Sequence, residues 1–256
     1  MQVFTRTLAI NEKARKSKRN RVSFKVSNQL VIRVFLFLNK ISKASQNKII
    51  ILFCGGREYM VTLKGTETHK NLMRAFAGES QARNRYSFYA SIARKQGYPL
   101  VADVFEYTAE QERMHGKVFF QYLAEEFNGE EIEIDAAYPV DLYQEQTVKN
   151  LLASVTAESH EHEEVYPSFA KVAKEEGFNQ IAATFTMIAK IEETHSKRFA
   201  KLAKELEDET MFKKATPVAW ECQVCGHIHY GVAAPTICPV CKHPKGYFAV
   251  KMEEVE

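Results

Sequence analysis

The stretch Glu192-Glu193-Thr194-His195 decides the fold, because it places a carboxylate and an imidazole three residues apart in a segment with helical periodicity. Residues three apart lie on one face of a helix, so Glu192 and His195 point the same way. The same step occurs eighty residues earlier, at Glu112-Arg113-Met114-His115, and the flanking residues match at this offset as well. The chain therefore contains an internal repeat.

Each Glu-x-x-His step follows another helical segment that carries carboxylates within an apolar stripe. The first of these segments contains Glu79, and the second contains Glu158 and Glu161. One Glu from each of two helices, together with a Glu-x-x-His step from each of two others, is the ligand pattern of di-iron and di-manganese four-helix bundles. The sequence thus predicts an all-α four-helix bundle that holds a dinuclear metal site.

An isolated Glu-x-x-His step is more often a solvated helix face than a pair of ligands. Here, however, the four helices would bury five carboxylates and two imidazoles together. Without compensation this would cost several kcal/mol for each charge, more than the net stability of a domain can tolerate. A pair of metal ions removes that cost. The candidate ligands are Glu79, Glu112, His115, Glu158, Glu161, Glu192 and His195.

The helix boundaries follow from caps and breakers. Periodicity and turn residues predict helices over residues 66–96, 100–127, 147–176 and 179–206, with Thr66 as the N-cap of the first. Short glycine turns join the first helix to the second and the third to the fourth, so each pair is an antiparallel hairpin. Residues 130–146 are predicted to be a non-helical crossover between the two hairpins.

The third helix contains two irregularities. Pro167 lies within it and should kink its axis. Moreover, the repeat offset is 80 residues at Tyr86 and Tyr166 but 79 at Glu79 and Glu158. A π-bulge would explain the difference, and π-bulges are frequent at functional sites. Ordinary divergence between two half-repeats explains it equally well.

Tyr86 and Tyr166 lie about two turns from Glu79 and Glu158, on compatible helix faces. Two interpretations remain open for them. They pack in the core with satisfied hydroxyl groups, or they hydrogen bond a metal-bound carboxylate and act in proton transfer.

Four cysteines near the C-terminus form a second candidate metal site. Cys222 and Cys225 form one C-x-x-C pair, and Cys238 and Cys241 form another after a predicted linker at residues 213–217. Four thiolates in this pattern suit a tetrahedral metal, which can hold together a domain too small for its own core. Spacing alone makes zinc the default. A dinuclear oxidant in the same chain needs electrons, however, and this favours iron because zinc has no redox chemistry.

The first 59 residues differ in composition from the rest, with thirteen Lys and Arg residues against two acidic ones. Residues 55–60 back-translate to a purine-rich stretch before an ATG codon, so we predict that Met60 is the true first residue. A targeting segment and a genuine basic arm are the alternatives. We therefore treat residues 1–62 as an extension that is untranslated or disordered.

Composition also limits the partners and the setting. No apolar run reaches the length of a membrane span, and five cysteines in this arrangement do not suggest a disulfide scaffold. We expect a cytoplasmic protein with no nucleic-acid partner and no membrane partner.

These motifs resemble those of the rubrerythrin family over residues 63–250. The matching strings are residues 75–86, 110–115, 166–170 and 192–195 and the four cysteines. The resemblance implies a ferritin-like di-iron bundle at residues 63–212 and a small rubredoxin-like β domain with four cysteines at residues 217–256. It further implies a peroxidase that reduces hydrogen peroxide to water and protects against oxidative stress.

The resemblance also implies roles for individual residues. Two iron ions would be held by Glu79, Glu112, Glu158, Glu161, Glu192 and His195, and His115 would exchange with Glu161 as the oxidation state changes. Glu161, His115, Tyr86 and Tyr166 would be the catalytic residues. A third iron would be held by Cys222, Cys225, Cys238 and Cys241, and Lys242 stands where many rubredoxins have glycine. Electrons would come from a reductase or a rubredoxin, and the family implies a homodimer.

Two other functions remain open. An iron-storage or ferroxidase protein would use the same bundle but has no need of a terminal one-electron centre. A zinc-ribbon adaptor on a metal-free bundle would leave the buried carboxylates unexplained.

Overall fold

A computed structural model describes residues 51–54, 57–60 and 62–251. The first described residues form a hairpin of two antiparallel strands, β1 (Ile51–Cys54) and β2 (Arg57–Met60). Most of the predicted extension, residues 1–62, lies outside the described residues. The choice of Met60 as first residue stays a prediction.

The first hairpin of the bundle consists of α1 (Glu67–Lys95) and α2 (Pro99–Phe127). Thr66 caps α1 as predicted, because its hydroxyl accepts a hydrogen bond from the His69 amide at 3.3 Å. Gly97 has a φ of +83° between the two helices, a conformation that suits glycine. Both predicted helices are confirmed.

The second hairpin consists of α3 (Thr147–His160), α4 (Tyr166–Glu175) and α5 (Asn179–Glu207). The predicted third helix changes pitch along its length, because a π-helical turn at Glu161–Val165 joins α3 to α4. The π-bulge interpretation is therefore confirmed. Pro167 lies in the first turn of α4, a position where the lack of a backbone N–H costs few hydrogen bonds.

A polar layer divides the bundle core at mid-height. The apolar cluster on one side includes Leu72, Phe119, Tyr166 and Phe185. The cluster on the other side includes Tyr86, Tyr89, Phe105, Leu151 and Phe199. On each helix, the candidate dinuclear ligands lie between the residues of one cluster and the residues of the other. A layer of charged side chains therefore interrupts an otherwise apolar core.

Residues 130–146, the crossover strap, contain neither helix nor strand, as predicted. Two ion pairs attach the strap to α1, with Arg74 lying 2.6 Å from Asp135 and Arg85 lying 2.9 Å from Asp141. The Tyr138 hydroxyl also donates a hydrogen bond to the carbonyl of Arg74 at 2.6 Å. The strap is thus held against α1.

The C-terminal unit is a three-stranded antiparallel sheet in the order β4 (Ile228–Ala233), β3 (Lys213–Cys222), β5 (Phe248–Val250). The prediction of a linker at residues 213–217 is wrong, because these residues form the first half of β3. Lys213 pairs with Ala233, and the register shifts between Lys213 and Val218. Pro217 lies in that irregularity, where a missing N–H breaks no ladder bond.

The sheet unit contacts the bundle at the turn between α1 and α2. Gly246 packs against the carbonyl of Gly97 so closely that a Cβ there would clash. The rings of Tyr98 and Phe212 stack at the same junction, 6.4 Å between centroids. In the described part of the chain, every helix is too short or too polar to cross a membrane.

Candidate metal centres

Four helices bring six candidate ligands together in the polar layer. α1 contributes Glu79, α3 contributes Glu158, and α2 and α5 contribute the two Glu-x-x-His steps. Two overlapping groups result, in each of which one ligand atom per residue lies within 4.8 Å of the others. The groups are Glu79, Glu112, His115 and Glu192, and Glu112, Glu158, Glu192 and His195.

Glu112 and Glu192 belong to both groups. His115 Nδ1 lies 2.9 Å from one oxygen of Glu112 and 3.0 Å from one oxygen of Glu192. His195 Nδ1 lies 3.0 Å and 2.8 Å from the other oxygens of the same two carboxylates. Each carboxylate therefore presents one oxygen to each group, which is the arrangement of a bridging ligand.

The buried donor atoms fit a pair of metal ions. Eight oxygen and nitrogen atoms of these six residues are buried without a hydrogen-bond partner, although buried polar atoms are ordinarily paired. Their separations near 3 Å match the edges of an octahedron with metal–ligand bonds of about 2.1 Å. Carboxylate and imidazole donors in this number suit iron or manganese.

Without metal, bound protons must neutralise part of the negative charge of the buried carboxylates. Burial and the neighbouring carboxylates raise the pKa of Glu79, and burial raises the pKa of Glu158 to about 8. Burial opposes charge on His195 as well, but contacts with Glu112 and two other carboxylates raise its pKa to about 12. Cations in the site would take over the role of these protons.

Tyr86 and Tyr166 hydrogen bond the carboxylates of the opposite half-repeat. The Tyr166 hydroxyl donates to Glu79 Oε1, and the Tyr86 hydroxyl donates to Glu158 Oε1. In both carboxylates the other oxygen, Oε2, has no hydrogen-bond partner and faces the cluster. Of the two interpretations of these tyrosines, the structure contains the hydrogen bond to a candidate ligand.

Glu161 lies apart from both ligand groups. It begins the π-helical turn, and its half-buried side chain lines a cavity of about 560 Å³ beneath the crossover strap. In the described part of the chain its carboxylate accepts no hydrogen bond, and burial beside Glu158 raises its pKa well above the usual range. His115, and not Glu161, completes the group around Glu79.

Three polar residues beside the cluster were not predicted from the sequence. His195 Nε2 lies 3.1 Å from Gln111 Oε1, and this oxygen also accepts a hydrogen bond from Arg198 at 3.1 Å. Arg198 further donates to the hydroxyl of Thr108 at 2.9 Å. A carbonyl oxygen only accepts, so Nε2 carries the proton and Nδ1 is free to bind metal. The sequence does contain one signal for Arg198, which follows His195 by three residues and therefore lies on the same face of α5.

The four cysteines lie close together in the C-terminal unit. Cys222 Sγ is 3.6 Å from Cys241 Sγ, and Cys225 Sγ is 3.6 Å from Cys238 Sγ. A tetrahedron with metal–sulfur bonds of about 2.3 Å has edges close to this length. Backbone N–H groups of Val240 and Cys241 help to lower the pKa of Cys238 to about 6, against the effect of burial.

The two cysteine pairs form matching backbone turns. The Gly226 amide donates to the carbonyl of Cys222 at 2.8 Å, and the Lys242 amide donates to that of Cys238 at 3.0 Å. Gly226 has a φ of +72° and Lys242 a φ of +63°. Lys242 therefore keeps the same turn at a position where glycine is less strained.

Comparison with known proteins agrees with both centres. The family model for rubrerythrin matches residues 70–203, and the model for the rubrerythrin rubredoxin-like domain matches residues 220–249. Rubrerythrin-1 of Clostridium acetobutylicum is 48% identical over 76% of this chain and 99% of its own length. Rubrerythrin of Clostridium perfringens is 50% identical over 76% of this chain and 99% of its own length.

Among solved structures, the bacterioferritin of Desulfovibrio desulfuricans aligns with a TM-score of 0.50 and 21% identity, over 56% of this chain and 82% of that one. This likeness shows the fold alone, which is ferritin-like in the bundle. The Glu and His cluster is the di-iron carboxylate site, and the four-cysteine cluster is the rubredoxin-like iron site. The chain belongs to the rubrerythrin family.

Proposed function

We propose that this protein is a non-haem di-iron peroxidase that reduces hydrogen peroxide to water with electrons delivered through the four-cysteine iron. Membership of the family makes it an iron-dependent oxidoreductase of oxidative-stress protection. One observation carries the finer proposal. A buried cluster with two shared carboxylates and a tetrathiolate site occur in the same chain.

The ligand assignment follows the two groups of side chains. Glu79, Glu112, His115 and Glu192 hold one iron, and Glu112, Glu158, Glu192 and His195 hold the other. Cys222, Cys225, Cys238 and Cys241 hold the third. In this proposal Glu161 exchanges with His115 at the first iron as the oxidation state changes.

When bound, the two irons supply the two electrons that cleave the O–O bond, and the tetrathiolate iron supplies electrons one at a time. The protein groups orient the ligands and move protons. Tyr86 and Tyr166 hold Glu158 and Glu79 so that one oxygen of each faces the cluster. Glu161 is the proton carrier, because its carboxylate faces the cavity without a partner among the described residues.

The four-cysteine site favours a peroxidase over a ferroxidase or an iron store. A tetrathiolate iron carries single electrons, which repeated reduction of peroxide requires and iron storage does not. The proposal includes a reductase or rubredoxin as electron donor, a homodimer as the assembly, and the cytoplasm as the location.

We test this function with the holoprotein reduced under anaerobic conditions and mixed with hydrogen peroxide. One peroxide should be consumed for each pair of bundle irons, with the ferrous cluster oxidised in a single fast phase. Glu192→Ala should abolish this phase, because it removes a carboxylate shared by both groups, while leaving the absorption bands of the ferric tetrathiolate intact.

Cys225→Ser is the matched variant in the other centre. It should spare the single turnover of the prereduced cluster but abolish steady-state turnover with a protein electron donor. A wild-type protein that consumes no peroxide in the prereduced state would refute the proposed function.

A further inference from the structure

The cavity beside Glu161 is larger than hydrogen peroxide requires. It measures about 560 Å³ and lies between α1, the α3–α4 region and the crossover strap. A water molecule occupies about 30 Å³ of liquid, and hydrogen peroxide has only two heavy atoms. Sites for organic ligands range from about 300 to 1,000 Å³. The volume therefore belongs to the class of sites that hold organic molecules.

The walls of the cavity are mostly apolar. Ala75 and Gly78 of α1, Ala153 of α3, Pro139 of the strap and Phe169 of α4 line it. Their methyl, ring and backbone surfaces offer few groups that would bind a polar ligand.

Each of the two arginines that line the cavity is paired with a carboxylate. The guanidinium of Arg85 lies 2.9 Å from Asp141, and that of Arg74 lies 2.6 Å from Asp135. Such paired charges give little net attraction for an anion. An uncharged ligand with an apolar body fits this environment better than a carboxylate or a phosphate.

Two residues connect the cavity to the dinuclear cluster. Glu161 and Tyr166 both line it, and the Tyr166 hydroxyl donates to Glu79 in the cluster. A ligand in the cavity therefore lies against the proposed proton carrier and against a side chain that contacts a proposed iron ligand.

We propose that this cavity binds organic hydroperoxides with a compact apolar group, and that these are a second class of substrate for the di-iron site. The inference rests on the proposed peroxidase function. The O–O bond of ROOH breaks, two electrons from the reduced cluster and two protons are taken up, and the products are ROH and water. The electrons are replaced by the same reductase or rubredoxin that supports hydrogen peroxide reduction.

Cumene hydroperoxide is a suitable probe. A cavity of about 150 Å³ holds a benzene molecule, so the phenyl ring and branched carbon of cumene hydroperoxide fit within the present cavity. Its product, cumyl alcohol, has the same apolar group without the reactive bond. Binding can therefore be measured by saturation-transfer NMR independently of turnover.

Ala153→Leu fills the cavity from α3. Ala153 is half-buried, is five residues from Glu158, and is outside both ligand groups. The added carbons should lower kcat/KM for cumene hydroperoxide by about tenfold and abolish the NMR signal of cumyl alcohol. Turnover of hydrogen peroxide should stay within about twofold of the wild type. Ala137→Leu, on the exposed strap, is a second filling variant that does not alter a helix.

Ala200→Leu is the control, since it makes the same change on an exposed face of α5 away from the cavity. Both substrates should react with it as with the wild type. Wild-type protein that turns over hydrogen peroxide but neither binds cumyl alcohol nor reduces cumene hydroperoxide overturns the inference and leaves the proposed function standing. Equal loss of both activities in Ala153→Leu also overturns it, because the cavity is then only a common access route. Failure of both peroxides overturns the proposed function itself, and the second substrate class with it.

Discussion

Gln111 is not a candidate ligand, but its hydrogen bond to His195 orients that imidazole in the dinuclear cluster. Its side-chain oxygen accepts hydrogen bonds from His195 and from Arg198. This arrangement fixes the protonated nitrogen of the imidazole and holds the ring in place. Hydrogen-bond partners of this kind orient a metal-binding imidazole and raise its basicity.

Replacing Gln111 with alanine should therefore weaken iron binding at the His195 position by about 10- to 100-fold. The affinity is measured by competition with a calibrated chelator, and the tetrathiolate iron serves as an internal reference. Gln121→Ala, on an exposed face of the same helix, is the matched control. Unchanged affinity in Gln111→Ala would show that the hydrogen bond has no role in binding.

In the proposed function His115 and Glu161 exchange at the same iron, and the two side chains differ in charge. A diferric site favours the additional carboxylate, whereas a diferrous site accepts a neutral imidazole. His115→Gln should leave the diferric site assembled, with two bundle irons per chain, but slow the reaction of the reduced protein with peroxide by about tenfold or more. Stopped-flow rates and iron content together check this. A normal rate would show that His115 is dispensable for the reduced site.

The sequence predicted the charged residues of the site better than their neutral neighbours. Glu79, Glu112, His115, Glu158, Glu192 and His195 repeat at helical spacing, and the cost of burying them pointed to metal. Gln111 is an uncharged amide beside a ligand, and no pattern separates it from a surface residue. The prediction of Glu161 as a ligand rests on its place in an apolar stripe and on the family resemblance, whereas the π-helical turn that places it beside the cavity depends on tertiary packing.

At the scale of elements, the π-helical turn corrects a mismatch between the two half-repeats. Tyr86 follows Glu79 by seven residues, which is close to two helical turns, whereas Tyr166 follows Glu158 by eight. In a regular α-helix the extra residue would rotate Tyr166 by about 100° away from the cluster. The turn at Glu161–Val165 absorbs it, and both tyrosines reach carboxylates across the core.

Deleting Glu163, an exposed residue within this turn, should restore regular α-helical pitch. Tyr166 would then follow Glu158 by seven residues, as Tyr86 follows Glu79, so both side chains should still face the cluster and the bundle should keep both irons. Iron content and the far-UV circular dichroism spectrum check this, because helix content should change little. Glu163→Ala removes the same side chain without changing the length of the chain and should keep both irons. A deletion variant that loses iron would contradict this account, because the π-helical turn would then do more than absorb one residue.

The elements were predictable where local chemistry determines them. The cap at Thr66, the glycine turns and the crossover strap all follow from short-range signals, and the structure confirms them. The linker prediction at residues 213–217 failed because those residues pair with distant ones, such as Lys213 with Ala233. Long-range pairing of a short polar strand leaves little periodicity in the sequence.

At the scale of the whole molecule, a charged layer separates two apolar clusters in one bundle. The apolar clusters stabilise the fold at any pH, whereas the layer stabilises it only when its charges are balanced. Iron balances them in the holoprotein and protons must do so in the metal-free protein. Metal content and pH are therefore linked through the stability of the entire bundle.

This linkage predicts the pH dependence of the metal-free protein. The pKa of Glu158 is raised to about 8 and that of His115 to about 9, so the folded state keeps protons that the unfolded state releases near pH 4.5 and 6.5. Groups with raised pKa values stabilise the fold at low pH and lose that effect as pH rises through the folded value. The free energy of unfolding should therefore decrease between pH 5 and pH 8, by about 1.4 kcal/mol per pH unit for each net proton. Glu112 has the opposite sign, but its pKa is lowered to about 2 and its effect lies below this range.

Differential scanning calorimetry of the bundle with and without iron measures the effect. The Tm of the metal-free protein should fall from pH 5 to pH 8, and the gap between the holoprotein and the metal-free protein should widen, because iron binds the deprotonated ligands. Glu158→Gln provides the control, since it removes one of the titrating groups and should flatten the slope of the metal-free protein. A Tm of the metal-free protein that is constant or rises over this range would mean that protons do not replace iron in the charged layer.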